Sequence, residues 1–438
     1  MTSRELCARC LVTMDRREGY SNLVLDAALK DCTLDHRDRA FASLLFYGVL
    51  ERRITLDACL APLCSTKLKK LAPAVRAELE TAVYELLYTP DTPASAVVNE
   101  AVNLVRTLGQ PRAAGLVNGV LRAFVRSERT IPVPSSPQSA RLSVENSVAE
   151  PLVRLLVKHY GTAATQRFLQ CSGGPAPVYL RVNPTRTTAE ELVSALAQEG
   201  VEAAPVEGIP GALVLTVGTG GDLRRLRAFE QGLFHVQDLA SQLCVLALDP
   251  RPGMDVLDVC AAPGGKTFTA AGLMENKGRI LANDLHPQRA ELIAQGAKRL
   301  GFDCVRATSG DATLHRPELG LFQRVLCDVP CSGIGVLRRK PEIRYKDPAD
   351  FADLPEIQHK ILEASAKYVA EGGLLVYSTC TLNPAENQQV IEAFLANHRD
   401  WQPGRLPAPL GQGWHTTLMD TPWNCDGFFI SVVERKKP

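Results

Sequence analysis

From about residue 233 onward, short apolar runs alternate with stretches of helical period, and no other feature constrains the fold as tightly. MDVLDVC, RILAND, CVRAT, RVLCDVP, LLVYST and GFFISVV are predicted strands. PQRAELIAQGAKRLG, IQHKILEASAKYVAEGG and PAENQQVIEAFLANH repeat apolar residues every three or four positions and are predicted helices. This alternation implies an α/β domain over 233–438, built on a mostly parallel, doubly wound sheet with helices on both faces.

The preceding residues read differently. In 1–130, LVLDAAL, FASLLFYGVLERRITLDACL, AELETAVYELLY, ASAVVNEAVNLVRTLG and RAAGLVNGVLRAFVRS all carry the helical period, which predicts an all-α domain. Asp35 and Asp38 are N-cap candidates before one of these runs. TIPVPSSPQSA, rich in Pro and Ser, predicts a linker over 131–144. In 145–232, the strands VYLRVNP and GALVLTV flank the helix TTAEELVSALAQEG, which begins with a capping Thr, and together they predict a small α/β module.

Composition narrows the class. The chain is 45% hydrophobic and 22% charged, and it has no run of apolar residues long enough to span a bilayer. MTSRELCARC lacks the apolar core of a secretory signal, so a cytoplasmic protein is expected. Thirteen cysteines scattered through apolar segments fit buried thiols in a reducing compartment. Cys7 and Cys10 form C-x-x-C but lack a second ligand pair at zinc spacing, so no metal is expected. With a net charge of +1, nucleic-acid binding cannot rest on bulk charge.

The segment from Asp255 to Thr267, DVLDVCAAPGGKT, takes a strand through small residues into a helix. Ala261, Ala262, Gly264 and Gly265 let a ligand approach the backbone closely. A phosphate-binding P-loop would need Gly at position 260, which is Cys, and G-x-G-x-x-G is also absent. Asp284 ends the next strand, where an acid can accept the ribose hydroxyls of an adenosyl ligand. Asp311, after the third strand, can reach the adenine side of the same cleft.

Two further strands end in Asp328-Val-Pro-Cys331-Ser-Gly333 and Ser378-Thr-Cys380, placing both thiols at the edge expected to face the cofactor. Methylating carbon 5 of cytosine needs such a thiol. A thiolate adding at carbon 6 makes carbon 5 electron-rich enough to attack a methyl sulfonium. Asp328 is placed to hold the base through its ring N3 and exocyclic amine. The residues alone leave the roles of Cys331 and Cys380 interchangeable.

LDVCAAPGGKT, DVPCSGIGVLRRKPEIRY, STCTLNPAEN and DGFF resemble the signature segments of the Nop2/Sun family of RNA cytosine-C5 methyltransferases. LFHVQDLASQL and LRVNPTRTT resemble that family's upstream segments, and residues 1–130 resemble a NusB RNA-binding domain. The resemblance thus covers essentially the whole chain. It implies a Rossmann-like class I methyltransferase domain that uses S-adenosyl-L-methionine. It also implies Cys380 as nucleophile, Cys331 in product release and Asp328 in base orientation. The cofactor contacts it implies are Cys260, Ala261, Ala262, Pro263, Gly264, Gly265, Lys266, Asp284, Asp311 and Asp328. Val329 stands where the family usually has Ala, and GDAT replaces a run that carries a basic residue. The domain order resembles bacterial members that methylate one cytosine of 16S rRNA, the cytosine-967 type. The expected partner is unassembled 16S rRNA or an early small-subunit particle, acted on by a monomer without a membrane. A tRNA substrate and a non-catalytic RNA-binding assembly role are the competing expectations.

Arg338, Arg339 and Lys340 directly follow the Cys331 loop and are expected to meet the RNA backbone. Arg181 and Asn183 of the small module are weaker candidates of the same kind. Tyr345 and Phe428 are candidate stacking surfaces for an extruded base, with core packing as the competing role for Phe428.

Overall fold

Apolar side chains at three- and four-residue spacing produce the N-terminal helices α1 Ser3–Arg16, α2 Ser21–Lys30, α3 His36–Leu60, α4 Pro73–Tyr88, α5 Ala94–Thr107 and α6 Ala114–Arg126. The computed structural model describes residues 1–16, 21–217 and 222–437. Asp35 caps α3 by accepting from the Asp38 amide at 2.8 Å. Leu6, Leu11, Phe46, Leu79, Val97 and Phe124 share one apolar core with Cys7 and Cys10. Burial pushes the Cys7 thiol well up and the Cys10 thiol up to about 11.

The expected linker contributes its second half to a helix, α7 Gln138–Asn146, because Leu142 is fully buried. Next comes α8 Glu150–Cys171, broken at Gly161, where φ is 78°. The chain divides into two compact units, Met1–Gly174 with Leu337–Pro348, and Pro175–Val336 with Ala349–Pro438.

Leu337–Pro348 therefore belongs with the helices. Arg344, 1% exposed, donates from NH1 to the Asn146 carbonyl at 3.0 Å and from NH2 to the Ser172 carbonyl. Its own carbonyl accepts from the Ala149 amide at 2.7 Å, and Glu342 accepts from the Ser21 hydroxyl at 3.1 Å. The Tyr345 hydroxyl is buried in the same unit, and burial pushes its pKa up. This overturns the expectation that Tyr345 offers its ring to an extruded base, because the ring carries a hydroxyl already buried among helices.

In the second unit, the small module forms an antiparallel sheet ordered β2-β3-β1-β4. Its strands are β1 Tyr179–Val182, β2 Glu202–Pro205, β3 Ala212–Val217 and β4 Phe234–Val236. Helix α9 Ala189–Gln198 starts at Thr188, whose side chain and that of Glu191 form a reciprocal capping box. The short helix α10 Arg227–Glu230 leads to β4.

The larger sheet contains β5 Asp255–Asp258, β6 Arg279–Asp284, β7 Val305–Ser309, β8 Phe322–Asp328, β9 Val369–Thr379, β10 Trp401–Pro403, β11 His415–Leu418 and β12 Phe428–Arg435. Its order is β10-β12-β9-β8-β5-β6-β7, with β11 paired to β12. The β5–β9 pairings are parallel, and β12 is antiparallel to β9. Alternate residues feed opposite faces. Val256, Leu326 and Ile430 join one apolar cluster, and Leu257, Val325 and Phe429 join the other. Helices α11 Leu239–Leu248, α12 Gly265–Leu273, α13 Pro287–Leu300, α14 Leu354–Ala366 and α15 Gln388–Asn397 supply residues to these two layers. The expected doubly wound fold is thus present. The VAEGG predicted as the end of a helix instead opens β9. Strand order reverses between β5 and β8, so their carboxyl ends border the crevice where such sheets take ligands.

Replacing Arg344 by Ala should destabilise the chain by about 2–3 kcal/mol, because it strands two buried carbonyls and removes charge-assisted hydrogen bonds. Urea denaturation measures this, and an unchanged midpoint would contradict the anchoring role.

Candidate active site

Beyond β5, the backbone turns through Cys260–Gly264 into α12. Gly264 has φ 107°, and a Cβ there would lie 2.4 Å from the Phe268 ring, so only glycine fits. A cavity of about 260 Å³ opens over this turn. Cys260, Ala261, Ala262, Pro263, Gly265, Lys266 and Asp328, all candidates from the sequence, line it. Gly264 shapes the turn without lining the cavity. Asp284, 3% exposed, holds the loop by accepting from the amides of Ala262 at 3.3 Å and His286 at 3.2 Å. Asp311 lines a separate small recess with Asn283, Ala312 and Arg316, and its carboxylate accepts from the Thr313 amide and hydroxyl.

The cavity has further walls that had not been singled out, Gln237, Ser241 and Asp258. Gln237 Oε1 accepts from the Thr269 hydroxyl, while its Nε2 is buried without a partner. Asp258, 2% exposed, accepts from the Thr267 hydroxyl at 2.7 Å through Oδ2, and its Oδ1 is buried without a partner. Burial pushes the Asp258 carboxyl up to about 7, and Asp328 adds to the rise. An unsatisfied donor and an unsatisfied acceptor in two residues that line one cavity suit a ligand with both a carboxylate and an ammonium group.

Strand register brings the two cysteines together. Asp328 of β8 pairs with Ser378 of β9, so Cys331 and Cys380 leave adjacent parallel strands at nearly the same height. Their sulfurs are 3.3 Å apart, and both residues are half-buried. The hydrogen bond to Cys380, aided by burial, pushes the Cys331 thiol well up and keeps its proton in place. Asp328 accepts from Ser378 Oγ at 2.7 Å and pairs with Lys266 Nζ at 2.7 Å. Burial opposes the charge on Lys266, but Asp328 beside it prevails and raises the lysine pKa. Phe428 is 3% exposed in the core, with Lys266 Nζ 5.1 Å from its ring centre. Its role is therefore to pack beneath the site.

The DGFF segment locks the same corner. The Gly335 amide donates to the Cys380 carbonyl at 3.0 Å, and the Gly427 amide donates to the Gly335 carbonyl at 2.9 Å. A Cβ on Gly335 would meet the Gly427 carbonyl oxygen at 1.9 Å, so the backbones can touch only without side chains.

Arg181 and Asn183 are not positioned to meet RNA. Arg181 is 5% exposed and donates to the Pro210 carbonyl at 2.8 Å, and burial lowers its pKa to about 10. Asn183 is 1% exposed and donates to the carbonyls of Gly232 and Leu300, both at 2.9 Å. Both are spent holding the small module together and against α13. Arg339 and Lys340 are exposed and Arg338 is half-buried, all within Leu337–Pro348 of the first unit.

A doubly wound sheet with a small-residue ligand turn at its carboxyl edge defines a Rossmann-like methyltransferase domain. Family models match NusB over residues 1–126, an RsmF/B-like ferredoxin-like domain over 150–220, and 16S rRNA methyltransferase RsmB/F over 245–434. The chain is 35% identical to a probable ribosomal RNA small subunit methyltransferase B of Synechocystis, covering 99% of this chain and 100% of that one. It is 36% identical to its counterpart in Bacillus subtilis, covering 99% and 98%. The chain belongs to the RsmB/F family of 16S rRNA methyltransferases. Among solved structures, PH0851 shares the fold with a TM-score of 0.81 at 24% identity, covering 99% of each chain. A methyltransferase homologue from Pyrococcus horikoshii matches with a TM-score of 0.60 at 28% identity, covering 68% of this chain and 99% of that one. Among the described residues, no helix is long and apolar enough to cross a membrane.

A carboxyl with a folded pKa above its unfolded value supports the fold most below the unfolded value and loses that support as pH rises through the folded one. For Asp258, the loss runs from about pH 4 to about pH 7. Asp258→Asn should therefore gain stability over the parent above about pH 7 and lose that gain near pH 4. Denaturation midpoints across this range test it; a pH-independent difference would contradict the assignment.

Proposed function

We propose that the protein transfers a methyl group from S-adenosyl-L-methionine to carbon 5 of a single cytosine in 16S rRNA, through a covalent adduct with Cys380. The observation that carries this reading is the 3.3 Å between the Cys331 and Cys380 sulfurs, at adjacent strand ends beside the ligand cavity. When bound, S-adenosylmethionine supplies an electrophilic methyl sulfonium. The Cys260–Lys266 turn, with the free Gln237 Nε2 and Asp258 Oδ1, suits its adenosyl and zwitterionic methionyl parts.

The Cys380 sulfur forms a bond to carbon 6 of cytosine, and the displaced electron pair makes carbon 5 nucleophilic. The family resemblance gives the attack to Cys380, and Cys331, whose thiol is pushed well up, keeps its proton beside it. Asp328, fixed by Lys266 and Ser378, accepts from the exocyclic amine of the base, and from N3 once thiolate addition has made that nitrogen basic enough to take up a proton. Once the methyl is on carbon 5, a base takes up the carbon-5 proton, and the electron pair left behind re-forms the double bond and expels Cys380 as a thiolate. Cys331, in contact with the departing sulfur, assists this release. Arg338, Arg339 and Lys340 supply positive charge to the RNA backbone. The substrate is unassembled 16S rRNA or an early small-subunit particle, and the protein acts as a cytoplasmic monomer.

Cys380→Ala should reduce methyl transfer to purified 16S rRNA to background while leaving S-adenosylmethionine affinity within about twofold. Cys331→Ala should instead accumulate protein–RNA adduct that survives SDS. Methyl transfer by Cys380→Ala, or adduct-free turnover by Cys331→Ala, would reverse the assigned roles.

A further inference from the structure

The sheet stops holding the cysteine loops just before the cysteines themselves. The last ladder bond beyond Asp328 runs from the Val329 amide to the Ser378 carbonyl at 3.2 Å. Past it, Pro330 and Ser332 flank Cys331, and their backbone groups turn to side chains. The Ser332 amide donates to Glu386 Oε2 at 2.8 Å. Gln358 of α14 donates through Nε2 to the Pro330 carbonyl at 3.0 Å and to the same Glu386 oxygen at 3.0 Å. The other carboxylate oxygen, Oε1, accepts from Asn383 Nδ2 at 3.0 Å, three residues beyond Cys380. The Glu386 carbonyl accepts from the Tyr377 hydroxyl at 2.6 Å, and the hydroxyls of Ser332 and Thr381 are 2.6 Å apart. Glu386 and Gln358 are both fully buried.

We infer that Glu386, with Gln358, is a positioning residue for the reaction: one buried carboxylate ties the Cys331 loop to the Cys380 loop and sets the distance between their sulfurs. A buried carboxylate is costly unless donors satisfy it, and here the donors come from both loops. The same bonds that satisfy the charge therefore fix the loops. A neutral amide in its place offers one acceptor oxygen and points N–H groups at the donors, so the loops separate. Glu386 touches neither reacting sulfur in this network. It works through Ser332 and Asn383.

This inference rests on the two-cysteine reading for its catalytic consequence, whereas the geometry can be read without RNA. In the full chain, a diazene dicarboxamide oxidant takes two electrons and two protons from a thiol pair, is reduced to the hydrazine and leaves a disulfide. Peptide mass spectrometry follows formation of the Cys331–Cys380 link in the parent, Glu386→Gln and Gln358→Leu. The parent is expected to cross-link quickly and both variants at least about tenfold more slowly. In methyl transfer, kcat should fall about tenfold or more, with KM for S-adenosylmethionine within about twofold. If Glu386→Gln does not fold, Gln358→Leu decides. A parent that fails to cross-link, or folded variants that cross-link and turn over at its rate, would overturn the inference. A parent with no transfer to RNA would overturn the proposed function, while slower cross-linking in the variants would still uphold the positioning role.

Discussion

The parallel pairing of β8 with β9 is the constraint on which the rest of the site depends. Opposing Asp328 to Ser378 sends Cys331 and Cys380 out of the sheet side by side. A one-residue slip would turn Asp328 and Ser378 toward opposite faces and break their 2.7 Å hydrogen bond. Register is secured by what lies behind it. Val325, Leu375 and Tyr377 fill one apolar layer, while Leu326 and Val376 fill the other. Packing in two cores thus specifies the position of two sulfurs.

Electrostatics then separates the parts of the corner. Lys266 belongs to the ligand turn and Asp328 to the thiol side, and their 2.7 Å ion pair joins the two. Asp258, close to both, feels burial and the Asp328 charge, and its carboxyl sits near neutrality. Its second oxygen is buried without a partner in a residue of the cavity wall. The two thiols are coupled for a related reason: they lie within hydrogen-bond distance of each other, and that contact, with burial, pushes the Cys331 thiol well up.

Much of this was legible in the sequence because strand ends are marked by pattern. Apolar runs stop at Asp258, Asp284, Asp328 and Thr379, and in a parallel sheet those stops share one edge. What could not be read depends on partners distant in the chain. Arg181 lies in a strand whose pattern does not reveal that its guanidinium reaches the Pro210 carbonyl. Tyr345 reads as a stacking surface beyond the basic cluster, yet its hydroxyl is buried, and the neighbouring Arg344 is tied to the carbonyls of Asn146 and Ser172, 198 and 172 residues earlier. Gln237 follows a strand of only three residues, too short to show a period. Glu386 falls in the first turn of a predicted helix, and only the fold shows donors converging on it from both cysteine loops.

The central claim is that Cys380, not Cys331, bonds to the base. A 16S rRNA fragment carrying 5-fluorocytosine cannot lose a proton from carbon 5, so the adduct persists after methyl transfer. Digestion and mass spectrometry of the trapped complex then identify the bonded sulfur. The account predicts a methylated fluorocytosine on the Cys380 peptide. The same adduct on the Cys331 peptide, or methyl transfer without any adduct, would contradict it.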